Sequence, residues 1–134
     1  MELAFSDMCF GCGKKNECGL KLSISYSGNR AKSKKIFEER FQGWNGIVHG
    51  GIITAAIDEV MAYAVGSATG KTGVTAELTI RFKKPVKIGE EYDIDAEVVE
   101  FNRRKAVVRG WIKRDGMIHA EGRGIYVLLR EVDR

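Results

Sequence analysis

Val48-His49-Gly50-Gly51 stands immediately before a segment, residues 52–65, that is apolar nearly all round and carries two acids, Asp58 and Glu59. If that segment is helical, its first turn has unpaired backbone N–H groups and the positive end of the helix dipole. Two glycines there let a ligand approach the backbone without meeting a Cβ. That combination suits a carbonyl oxygen that becomes an oxyanion when its carbon is attacked. The same glycines also serve a plain turn into the helix, and by themselves they do not separate the two uses.

The acids are harder to set aside. Burying an ionised carboxylate costs several kcal/mol unless it is paired or hydrogen-bonded. At about 100° per residue, Ile53, Ile57, Val60 and Tyr63 share one broad side of the helix. Asp58 and Glu59 fall on the other, flanking Ala55, Ala62 and Gly66. Such a small-residue stripe permits close approach by another element or a second subunit. Two acids lining a subunit contact and one acid doing chemistry both fit the wheel.

The elements that must position these residues can be traced from periodicity. Residues 20–26 alternate apolar and polar, predicting a half-buried strand, and residues 31–40 are a plausible partner beyond the Ser27-Gly28-Asn29-Arg30 turn. Residues 41–48 then form a loop. The helix is predicted from Gly51 to about Ala68, with Gly70 as its stop. Residues 74–83, 92–101, 106–113 and 118–129 are rich in Val, Ile, Tyr and Thr, and Asp115-Gly116 is a strong hairpin signal. One helix and a mainly antiparallel sheet of about six strands close a core when the sheet curls around the helix. The expected class is therefore α+β with the hotdog architecture, a single domain over residues 1–134 with a Cys-containing lead over residues 1–19.

Bulk properties narrow the function classes. The chain has 134 residues, 44% hydrophobic and 30% charged, which suits an ordinary globular domain and argues against disorder. Neither a secretory leader nor an apolar run of the roughly 20 residues that span a bilayer is apparent. Three cysteines, Cys9, Cys12 and Cys18, fit a reduced, cytoplasmic setting better than a disulfide framework. With His49 or His119 they could complete a Cys3His zinc site, but both histidines are distant in sequence, so no metal is expected. The net charge of +4 is compatible with a polyanion or a phosphorylated ligand and selects neither. Clustered aromatics interleaved with basic residues are missing, against nucleic-acid binding. No Gly-x-Ser-x-Gly, P-loop or dinucleotide fingerprint occurs.

Trp44-Asn45-Gly46-Ile47-Val48-His49-Gly50-Gly51, with an acid nine residues after the histidine, resembles the hotdog acyl-CoA thioesterases, and most of all the phenylacetic-acid-degradation group. Cys9-Phe10-Gly11-Cys12-Gly13 followed by Gly19-Leu20 is similar to the lead of many members. Thr75-Ala76-Glu77-Leu78 and Arg81-Phe82-Lys83-Lys84-Pro85 with Gly89 are similar to the strand after their helix.

The resemblance implies hydrolysis of an acyl-CoA to free acid and CoA, with CoA entering only as part of the substrate and no separate cofactor. Asp58 takes the position of the general base or nucleophile, and the Gly50 N–H that of the oxyanion donor. His49 would help shape the site, and Thr75 would position the attacking water. Asn45 and Gly51 would line the substrate, with Glu59 beside them in a structural or interface role. Arg103 and Arg104, in a basic turn, are candidates for the phosphates of CoA. The family's arrangement implies a homodimer or homotetramer in which the acid of one subunit faces the His-Gly-Gly of another. The alternative is a non-catalytic acyl-CoA or lipid-binding module on the same fold.

Overall fold

The computed structural model describes residues 5–129. Two short strands open the sheet, β1 (Ser25–Ser27) and β2 (Arg30–Ile36). After a single 3-10 turn at Glu39–Phe41 comes the helix α1 (Gly50–Thr69). Four strands follow, β3 (Gly73–Phe82), β4 (Glu91–Phe101), β5 (Lys105–Arg114) and β6 (Met117–Leu128). They form one sheet in the order β1-β2-β4-β5-β6-β3, with every neighbouring pair antiparallel. This is the expected α+β hotdog arrangement, with the sheet wrapped on the helix.

The strands alternate as a half-buried sheet must. Tyr92, Ile94, Ala96 and Val98 of β4 and Ala106, Val108 and Ile112 of β5 point inward, against Ile53, Ala56, Ile57, Val60, Met61, Ala64 and Val65 of α1. Gly110 and Gly122 stand at inward positions under the helix, where a Cβ would come within 2.9 Å and 3.2 Å of Ile57 Cγ2. The absent side chains let the helix axis lie close to the sheet centre. Gly70 ends the helix in the left-handed region at φ 71°, its N–H donating to the carbonyl of Gly66.

Two expectations need correction. Residues 20–26 are not one strand: only Ser25–Ser27 joins the sheet. Leu20 and Leu22 are buried, but their N–H groups donate to the carbonyls of Phe10 and Gly11 in the lead, and Lys21 has φ 53°. Alternating burial arises here from pairing with the lead. The helix, at 20 residues, is also long and apolar enough to span a bilayer by length and composition, contrary to the count of uninterrupted apolar runs. Asp58 and Glu59 interrupt that run without lowering its average much, and the apolar face is taken by the sheet.

Candidate active site

The loop before the helix is pinned from three sides. Val48 N–H donates to the Val86 carbonyl at 2.8 Å, His49 N–H to Phe41 at 2.9 Å, and Gly43 N–H to Ile47 at 2.8 Å. His49 is then the N-cap, with φ −59° and ψ 136°, and its Nδ1 accepts the N–H of Gly51 at 2.9 Å. An Nδ1 that accepts carries no proton, so the neutral ring holds its hydrogen on Nε2. The Gly50 N–H, between cap and first turn, has no acceptor among the described residues. A hollow of about 400 Å³ lined by Gly43, Trp44, Val48, His49 and Gly50 lies at this corner, and the Phe82 ring would lie 3.6 Å from a Cβ on Gly50. A larger hollow of about 680 Å³, over β1, β2 and β4, holds none of the expected site residues.

Asp58 lies eight residues along α1 on its half-buried side. Its Oδ1 accepts the Thr75 hydroxyl at 2.8 Å and the Tyr126 hydroxyl at 2.5 Å, and Tyr126 also lies 3.1 Å from the Asp58 carbonyl. Oδ2 has no partner among the described residues. Thr75 lies opposite Tyr126 on β6, and β3 carries a bulge between Thr75 and Glu77. Before the bulge the odd residues, Gly73 and Thr75, face the helix; after it the even ones, Leu78 and Ile80, do. Burial, then the Asp58 charge, pushes the Tyr126 hydroxyl far above the ordinary tyrosine range. It therefore remains a donor.

Tyr126 was not among the expected site residues. The available signal was an inward tyrosine on β6, since a buried phenol needs a partner for its hydroxyl. Glu59, one residue from Asp58, turns away from this constellation and accepts the Cys9 thiol at 3.3 Å. Asn45 is exposed in the loop before His49. Arg103 and Arg104 sit in the turn between β4 and β5, where the Arg103 carbonyl takes Lys71 Nζ just past the far end of α1. Within one chain the structure thus assembles Asp58 with Thr75, and His49 with Gly50 and Gly51, as two separate groups.

The profile of the thioesterase superfamily matches residues 45–119, more than half of the chain and the whole stretch from the His49 loop to β6. The chain belongs to the thioesterase superfamily. A relative from Saccharolobus solfataricus, named provisionally as an esterase, is 34% identical over 84% of this chain and 73% of its own. Acyl-coenzyme A thioesterase THEM4 of Bos taurus is 30% identical over 66% of this chain and 36% of its own, so the chain spans about a third of that relative. A solved Streptococcus mutans structure, bound to acetyl-CoA, superposes with a TM-score of 0.75 over 81% of this chain and 88% of that one, at 21% identity. The hotdog fold is shared with it.

Proposed function

We propose that this thioesterase-superfamily protein hydrolyses acyl-CoA thioesters at a site made by two copies of the chain. The observation that carries the reading is the Asp58 carboxylate, whose Oδ1 is fixed by Thr75 and Tyr126 while Oδ2 is left for chemistry. Superfamily membership supplies the reaction, and the naming of the bovine relative and the acetyl-CoA in the streptococcal structure support the substrate class.

Asp58 and the Gly50 N–H are eight residues apart on one helix, about 12 Å along its axis. A single thioester carbon cannot be near both, since a reacting atom must sit about 3 Å from each group. A second copy, offering its His49-Gly50 corner to the first copy's Asp58, closes that gap. In the general-base route, Asp58 Oδ2 takes a proton from water as the water oxygen bonds to the thioester carbon. The carbonyl oxygen becomes an oxyanion held by the Gly50 N–H, and collapse expels the CoA sulfur, which leaves as the thiol with that proton. In the nucleophilic route Oδ2 itself bonds to that carbon, and the carbon–sulfur bond breaks to release the CoA thiolate. Water then hydrolyses the mixed anhydride to the free acid and the Asp58 carboxylate.

The test is release of free thiol from a panel of acyl-CoAs, with two variants. Asp58→Ala is expected to lower kcat about 10²–10⁴-fold. Gly50→Pro deletes one N–H at the first helical position, where proline is tolerated, and the ψ of His49 suits a following proline. The expected loss is about 10²–10³-fold, while Gly50→Ala, which keeps the N–H but adds a Cβ at the corner, should lose clearly less than Gly50→Pro. Thiol release that is absent from every acyl-CoA, or unchanged in Asp58→Ala, would sink the proposal.

A further inference from the structure

Away from Asp58, the described residues include a group of thiol and carboxylate side chains close enough to share a metal ion. Cys9 Sγ, Cys12 Sγ and a Glu59 carboxylate oxygen lie within 4.8 Å of one another. The two thiols come from the lead and the carboxylate from the middle of α1. The Cys-x-x-Cys-Gly turn brings both sulfurs to one side, closed by the Gly13 N–H donating to the Cys9 carbonyl at 2.8 Å. Leu20 and Leu22 tie it down through Phe10 and Gly11. Gly11 rests directly on the glutamate: a Cβ there would collide with Glu59 Cδ.

Glu59 is half-buried at this place. Among the described residues its carboxylate accepts the Cys9 thiol at 3.3 Å, the Cys12 thiol stands beside it, and no lysine or arginine pairs with it. Thiols are weak donors, and a half-buried carboxylate needs more than that. Two sulfurs and one carboxylate oxygen form the donor set of a thiophilic divalent cation. Ligand atoms around tetrahedral zinc are roughly 3.5–3.8 Å apart, by the usual Zn–S and Zn–O lengths. The cluster reaches that spacing with sub-ångström side-chain adjustments. A water or the nearby Tyr63 hydroxyl is available for the fourth position.

We propose that Cys9, Cys12 and Glu59 bind a divalent metal of the zinc class that fastens the lead to the helix carrying Asp58. Binding forms two metal–sulfur bonds and one metal–oxygen bond, and the two thiol protons pass to solvent. The spacing of the cysteines alone does not reveal this site, because the third ligand comes from fifty residues away and is neither a cysteine nor a histidine.

Reduced full-length chain, stripped by a chelator that is then dialysed away, is titrated with Co²⁺. The expected result is one Co²⁺ per chain with a thiolate-to-cobalt charge-transfer band, abolished on adding Zn²⁺. Cys9→Ser removes the band, Glu59→Gln weakens Co²⁺ binding by about tenfold or more, and Cys18→Ser, at an exposed thiol, leaves it intact. Cys9 and Glu59 are only partly buried, so their variants, checked for folding by circular dichroism, are used in place of substitutions at the buried Cys12. A folded wild-type chain without the band overturns the proposal. So does a band that survives in Cys9→Ser, or one that disappears in Cys18→Ser.

Discussion

Asp58 is an acid with one oxygen held and one offered, and Tyr126 does most of the holding. Removing the phenol in Tyr126→Phe leaves Thr75 as the remaining side-chain donor to Oδ1. The expected cost is about 1.5–3 kcal/mol of stability, the range for a hydrogen bond to a charged acceptor. A fall in kcat larger than any change in KM should accompany it, because the oriented carboxylate acts mainly in the transition state. The sign of the pH dependence follows from the raised tyrosine value. A group whose folded value lies above its unfolded one contributes fully below the unfolded value, about 10 for tyrosine, and loses the contribution only as pH rises through the folded value. The urea-midpoint difference between wild type and Tyr126→Phe should thus stay constant between about pH 6 and pH 9. A difference that shrinks within that window would show that the phenol ionises there.

At the scale of elements, the helix depends on glycines in the strands beneath it. A Cβ on Gly110 would lie 2.9 Å from Ile57 Cγ2 and 3.0 Å from Met61 Sδ. On Gly124 it would lie 2.8 Å from both Met61 Cε and Tyr126 Cε1. Gly110→Ala and Gly124→Ala should each lose about 1–3 kcal/mol in thermal or denaturant melts. They should differ in catalysis: Gly124→Ala displaces the ring whose hydroxyl holds Asp58 and lowers kcat, whereas Gly110→Ala leaves kcat near wild type. Strands β3 to β6 and the helix were legible in the sequence to within a residue or two, because alternation and an all-round apolar run are signals within a single element. The false start of the first strand, the bulge after Thr75 and the Tyr126–Asp58 bond were not. Each depends on what a distant segment supplies: the lead for Leu20, β6 for Thr75 and the helix for Tyr126. The resemblance put Asp58 and Thr75 in one site, with Thr75 as the hydroxyl that positions water, and their direct hydrogen bond comes from the structure; the wheel alone left Asp58 and Glu59 equal.

For the whole molecule, the separation of Asp58 from Gly50 along one helix makes the shared site testable. Asp58→Ala and Gly50→Pro chains, each inactive alone, are mixed after unfolding and refolded together. If sites join the acid of one copy to the corner of another, random pairing of equal amounts gives heterodimers in half the population, each with one intact site. About a quarter of wild-type activity should return. Activity that stays at the level of the separate variants would overturn the shared site. Strand β3 is the longer of the two edge strands and is exposed along most of its length, so it is available for such pairing.

Ala76 has no partner of its own in the ladder: Thr75 lies opposite Tyr126 and Glu77 opposite Ile125, consecutive residues of β6. Deleting Ala76 would therefore leave every pairing and every inward or outward assignment of β3 unchanged, while shortening its arc by one residue. Such a chain should fold and melt close to wild type, yet lose the aim of the Thr75 hydroxyl at Asp58, measurable as a drop in turnover comparable with Thr75→Val. The surplus residue works as a shim, and its thickness, more than the identity of its side chain, sets where that hydroxyl points.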